Sequence, residues 1–174
     1  QGVTVCAGAG DNAAAAVGTG TVSTGAAHAD SRCNISLGTS GTIFISSEKF
    51  GVDATNGLHA FAHADGGWHL MGCMLSAASC NKWWQDAIIG TNDYKGEEAK
   101  IAPEMLGRNH VYFLPYLMGE RSPINDTNAR AMFVGMTMDT ARADMTQAML
   151  EGVAFAIRDS FEVAKGPVSY THLR

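Results

Sequence analysis

The chain has 174 residues, of which 46% are hydrophobic and 17% charged, and its net charge is −5. That composition excludes a disordered chain and is enough for one domain with a real core. The acidic balance gives no footprint for nucleic acid, and no apolar run is long enough to span a bilayer.

In chain order, the β-branched run Val3-Thr4-Val5 reads as a strand that breaks on Gly8 and Gly10. A helix of small residues then begins at Asp11. Asp11 and Asn12 stand where short polar side chains cap free N–H groups. A lone carboxylate on a bare glycine shelf also suits a proton acceptor facing a cleft. Residues 34–47 read as a hairpin: Ile35, Leu37, Ile43 and Ile45 fill the strands, and Gly38-Thr39-Ser40-Gly41 makes the turn. That turn is either an ordinary connection or a phosphate cradle of backbone N–H groups and hydroxyls.

Residues 50–67 read as a surface loop with a short element, and Trp68 to Leu75 as a strand. The spacing of Ala77, Cys80, Trp83, Trp84 and Ala87 predicts a helix over 76–89 that stops at Gly90. Adjacent Trp83 and Trp84 cannot share one face, so one is core and the other faces a cleft or another domain. Residues 91–100 read as a loop or helix start. Val111 to Leu117 is an apolar strand interrupted by Pro115, followed by a loop dense in turn formers. In that loop Glu120 and Arg121 form a solvated local ion pair or, alternatively, meet a ligand or partner domain. The last helix covers 143–164, with Met145, Ala148, Met149, Gly152, Val153 and Ala156 on its apolar side and Asp144 in its first turn. Interleaved strands and helices make the fold class α/β.

Cys6, Cys33, Cys73 and Cys80 are too widely spaced for a zinc site and read as buried thiols of a reducing, cytoplasmic compartment. His59 and His63 could face one way on a helix, but no third ligand accompanies them, so no metal site of protein side chains is expected. The pattern Gly8-x-Gly10-x-x-Ala13, with Asp30 about twenty residues on, has the form of a dinucleotide site. No apolar strand leads to Asp30, and Asp11 would repel a pyrophosphate.

Taken together, the stations Ala7-Gly8-Ala9-Gly10-Asp11-Asn12-Ala13-Ala14, Ile35-Ser36-Leu37-Gly38-Thr39-Ser40-Gly41 and Leu114-Pro115-Tyr116-Leu117-Met118-Gly119-Glu120-Arg121-Ser122-Pro123 resemble the FGGY carbohydrate kinases, most closely their xylulokinase branch. The stretch Ala131-Met132-Phe133-Val134-Gly135-Met136, with Asp144-Met145 and Ala148-Met149-Leu150-Glu151 after it, is similar to that family's second signature. The resemblance implies an actin-like, ribonuclease-H-like fold of two domains around a cleft. It implies ATP- and Mg2+-dependent phosphorylation of the 5-hydroxyl of D-xylulose, with other sugars such as gluconate or ribulose as alternatives.

By the same resemblance Asp11 is the catalytic base and, with Asn12, binds the sugar. Gly38, Thr39, Ser40 and Gly41 meet the ATP phosphates. Ala78 and Lys82 align with nucleotide-contacting positions, Ala78 standing where glycine is usual. The family's Asp-x-Gly-Thr phosphate loop and its Gly-Gly adenine segment are missing from the sequence. The chain is therefore expected to be an internal piece of a longer enzyme, inactive by itself. Residues 1–27 would end the N-terminal domain, 28–166 would form most of the C-terminal domain, and 167–174 would be a tail of unclear origin. A second copy of the chain is a candidate partner.

Overall fold

The computed structural model describes residues 2–5, 7–22 and 33–166. The expected boundary near 27/28, Cys6, Asp30 and the 167–174 tail lie outside the described residues. Helix α1 (Asp11–Gly18) is followed by strands β1 (Cys33–Leu37), β2 (Gly41–Ser47), β3 (His59–Ala62) and β4 (Trp68–Met74). These four pair antiparallel in the order β1-β2-β4-β3. Helix α2 (Ala78–Trp83) runs on as a π-helical turn, Trp84–Ile89. Gly90 ends it in the left-handed region at φ 66°, where the absence of a Cβ removes the steric penalty. Then come α3 (Tyr94–Glu98), the antiparallel ribbon β5 (Tyr112–Leu114) and β6 (Met132–Val134), and the long helix α4 (Arg142–Ala164).

Period-2 alternation decides what each sheet face does. Ile43 and Ile45 point with Leu70 toward Ala164 of α4, and Leu58 joins this core. Phe44 points the other way, stacked on His69 at 4.0 Å and edge-on to His63 at 5.3 Å. Helix α1 is tied to this second side, because Asn34 Nδ2 donates to Thr19 Oγ1 at 3.1 Å and His63 Nε2 lies 2.8 Å from the Thr21 carbonyl. The β2 strand is therefore almost wholly buried, whereas Ile35 and Leu37 on the edge strand β1 are exposed.

Helix α4 is the element common to all the cores. Its Ala148 and Met149 pack with Cys80, Trp84, Val111 and Phe113; Ala156 packs with Met74 and Ala77; Ala164 packs with the sheet. It starts as its sequence suggests, with the Asp144 carboxylate accepting from the Ala141 N–H at 2.8 Å. Close approach needs glycine at two points. A Cβ at Gly152 would stand 2.2 Å from the Phe113 carbonyl oxygen, and one at Gly72 would stand 3.1 Å from Ser160 Cβ.

The structure differs from the sequence reading in several places. Val3 and Val5 are almost fully exposed and belong to no strand, because β propensity forms no strand without a partner ladder. His59 lies on β3 and His63 just beyond it, not on a helix. Strand β6 occupies the stretch read only as a family signature. Trp84 is the core tryptophan, its Nε1–H donating to Thr146 Oγ1 at 2.9 Å, and Trp83 is half-buried against Phe113. The 34–47 hairpin forms, which favours the kinase pattern over the dinucleotide one.

Candidate active site

The β1–β2 turn is fastened to the start of α2 by a set of backbone bonds. Ala77 N–H donates to the Thr39 carbonyl at 3.0 Å, and Ala78 N–H to the Gly38 carbonyl at 2.9 Å. Ser79 adds its hydroxyl to the Thr39 carbonyl at 2.8 Å. The sequence separates these stations by some 40 residues, and the fold puts Ala78 directly on the turn. Gly38, Thr39 and Ser40 are exposed, and a Cβ at Gly38 would meet only the Ser40 carbonyl oxygen, at 3.7 Å. Open backbone of this kind suits a phosphate. Gly41 is different. It is buried, and a Cβ there would stand 2.7 Å from Met74 Cγ and 3.1 Å from Ala77 Cβ, so its smallness serves the packing under the turn.

Helix α1 points its first residues at the same edge. Thr42, one residue after Gly41, donates to Asn12 Oδ1 at 3.0 Å. The neighbouring Asp11 is exposed, with its Oδ1 accepting the Asn12 N–H at 2.8 Å. The helix cap is Gly10, so Asp11 occupies the first helical position. Among the described residues no atom would crowd a Cβ at Gly8 or Gly10 within 4 Å, so the shelf beside Asp11 is bare there. Lys82 lies one turn along α2 from Ala78, exposed and paired with Asp86, whose hydrogen bond raises its pKa. Asp86 also accepts from Tyr94 Oη at 3.0 Å.

The arrangement is an acid beside a glycine shelf, joined through Thr42 to an open glycine turn. Residues 33–168 match the family model described as the FGGY family of carbohydrate kinases, C-terminal domain. The chain belongs to the FGGY family of carbohydrate kinases. It is 43% identical to a xylulose kinase of Klebsiella pneumoniae over 91% of its length, and 41% identical to one of Escherichia coli over 92%. It covers 32% of each, so the chain spans about a third of the curated relatives it matches. Among solved structures, a xyloylose kinase from Brucella ovis superposes with a TM-score of 0.81 at 40% identity, covering 92% of this chain and 32% of that one. A gluconate kinase from Lactobacillus acidophilus superposes at 0.67 with 26% identity, covering 76% and 27%. The fold is the actin-like sugar-kinase fold of the FGGY C-terminal domain.

One part of this FGGY domain was misread from sequence. Glu120 is not a solvated partner of Arg121: it is 1% exposed, and its Oε1 accepts the Leu75 and Arg121 N–H groups, each at 2.8 Å. Burial raises its pKa. Next to it, the Ser122 hydroxyl accepts the Cys73 N–H at 2.8 Å and donates to the Gly57 carbonyl. Cys80 lies beneath the α2 junction, its thiol pushed up to about 12 by burial and by Glu120, so it is no nucleophile.

Proposed function

We propose that the intact protein carrying this chain transfers the γ-phosphoryl group of ATP to the 5-hydroxyl of D-xylulose. The observation that carries this reading is the Thr42–Asn12 bond, which joins the Asp11 helix start to the Gly38–Gly41 turn. Phosphoryl transfer depends mainly on positioning and on stabilising charge, with a carboxylate to receive the hydroxyl proton. A sugar-side acid and a phosphate-side turn on one edge of the sheet meet that need. The xylulose kinases among the relatives supply the choice of sugar.

In this reading Asp11 is the base. It takes the sugar hydroxyl proton as that oxygen attacks the terminal phosphorus and the bond to the leaving diphosphate breaks. Asn12 holds the sugar beside it. The backbone N–H groups of Thr39 and Ser40 and the Thr39 hydroxyl hold phosphate oxygens, with Gly38, whose N–H donates to the Ser40 carbonyl at 2.9 Å, shaping the turn and Gly41 setting it from below. Ala78 and Lys82 face the nucleotide, Lys82 exchanging Asp86 for phosphate. Mg2+ bound with ATP would neutralise phosphate charge, held largely by phosphate and water oxygens. Residues 1–27 close the N-terminal domain in this reading, 28–166 form most of the C-terminal one, and the opposite wall of the cleft comes from the rest of the protein.

Asp11→Ala in the full-length enzyme is expected to lower turnover by about 10²–10⁴-fold, the range of general-base help, while ATP still binds. Near-normal turnover would remove Asp11 from the role. The gluconate kinase neighbour supports a second sugar, and comparing kcat/KM for D-xylulose and gluconate decides between the two.

A further inference from the structure

We propose that Glu120 is a positioning residue for the nucleotide turn, acting through the segment 75–79. This inference rests on the assignment of the Gly38–Gly41 turn to the ATP phosphates. The connection can be followed atom by atom. Glu120 Oε1 accepts the Leu75 N–H at 2.8 Å. Within the same segment, the Leu75 carbonyl accepts the Ser40 hydroxyl at 3.5 Å, and Ala77 and Ala78 donate to the Thr39 and Gly38 carbonyls. Every exposed residue of the turn is thus bonded to the stretch 75–79, whose first N–H ends on this carboxylate.

Three observations separate Glu120 from an ordinary loop glutamate. It is fully buried, although its loop is otherwise rich in exposed residues. Its own backbone is fixed on both sides, Glu120 N–H donating to the Asp126 carbonyl and Asp126 N–H to the Glu120 carbonyl, each at 2.8 Å. Its other oxygen, Oε2, is buried and has no hydrogen-bond partner among the described residues. Burying a carboxyl with one oxygen unbonded costs stability, so its place calls for an explanation beyond stability. Hydrogen bonds to a carboxylate are short and strong, and its Oε1 fixes the Leu75 N–H together with the Arg121 N–H, each at 2.8 Å. Ser122, two residues on, repeats the arrangement at Cys73, its hydroxyl accepting the Cys73 N–H at 2.8 Å and its own N–H donating to the Cys73 carbonyl at 3.2 Å. Glu120 and Ser122 together clamp the end of β4, where the chain turns into α2.

The test uses the full-length enzyme with Glu120→Ala and Glu120→Gln. ATP affinity is read by direct titration, and kinetics are read with each substrate varied in turn. Glu120→Ala is expected to weaken ATP about tenfold, the scale of one lost charge-assisted bond, with sugar KM within about twofold of the parent. Glu120→Gln keeps an acceptor oxygen and is expected to recover most of the loss. Equal weakening of ATP and sugar, or unchanged ATP affinity in a folded Glu120→Ala, would overturn the proposal. If the alanine variant does not fold, Glu120→Asp, which withdraws the acceptor by one methylene, is read by the same criteria. An unmodified enzyme that binds ATP but phosphorylates no D-xylulose would instead refute the assigned sugar and leave this proposal standing.

Discussion

Thr42 donates its hydroxyl to Asn12 Oδ1 across 3.0 Å and so ties the start of α1 to β2, thirty residues further on. Each partner is one residue from a proposed functional position, Asn12 from Asp11 and Thr42 from Gly41. Thr42→Val keeps the shape and removes the donor. It is expected to lower kcat/KM for the sugar by roughly fivefold, the worth of one neutral hydrogen bond, with Thr42→Ser recovering it. Steady-state kinetics on the intact enzyme checks this, and a valine variant equal to the parent would remove the bond from the mechanism.

Gly152 offers a test in which two effects have opposite sign. Alanine is the better helix former by about 1 kcal/mol, so helix propensity alone predicts stabilisation of α4. A Cβ here would stand 2.2 Å from the Phe113 carbonyl oxygen, which is backbone and cannot swing away. Gly152→Ala is therefore expected to destabilise by about 1–3 kcal/mol as α4 is pushed from β5. A denaturant midpoint that rises would refute the packing argument.

His69 predicts an acid-sensitive fold. Burial, and secondarily the nearby His63, lowers its pKa from 6.5 to about 4. Its Nδ1 is buried with no hydrogen-bond partner among the described residues, and its ring is stacked between Phe44 and Phe61. The unfolded chain therefore binds a proton that the folded one refuses between those values. That contribution to stability is complete above about pH 6.5 and is lost as pH falls toward about 4. Melting temperature followed over this range should fall, and His69→Gln should flatten the slope. An unchanged slope in the variant would assign it to other groups.

Glu97 acts in a lower window. Hydrogen bonds from Arg142 and then Lys100 hold its carboxyl at about 2, below its usual 4.5. The pairing links α3 to the first residue of α4. A depressed carboxylate stabilises above its unfolded value, and the benefit disappears as pH falls from about 4.5 to about 2. Glu97→Gln should remove stability at neutral pH and leave little difference from the parent near pH 2. A variant whose deficit persists there would show that the loss is one of packing.

The elements that sequence made visible are those whose signal is local. Ile43 and Ile45 alternate toward one face, Gly38 to Gly41 mark a turn, and the apolar spacing along α4 carries its own period. Thr42–Asn12 and Glu120–Leu75 are different, because partners 30 and 45 residues apart leave no mark on either segment. Glu120 beside Arg121, among turn formers, has the composition of a wet loop. Only the N–H groups it meets explain its burial. The π-helical continuation after Trp83 has no pattern of its own, and β6 is three residues long, too short for alternation to register. Val3 and Val5 show the reverse failure, propensity without a ladder to join.

Helix α4 touches three separate cores along its 23 residues. Melting either end would expose apolar surface of the four-stranded sheet or of the β5–β6 ribbon, and among the described residues no other helix is as long. The two sheets share no strand, and α4 packs on both, so the helix couples their stabilities alongside the Glu120 and Ser122 bonds to Leu75 and Cys73. Damage at the centre of this rod is therefore expected to loosen both the packing under the Gly38–Gly41 turn, through Met74 and Ala77, and the far ribbon, through Phe113.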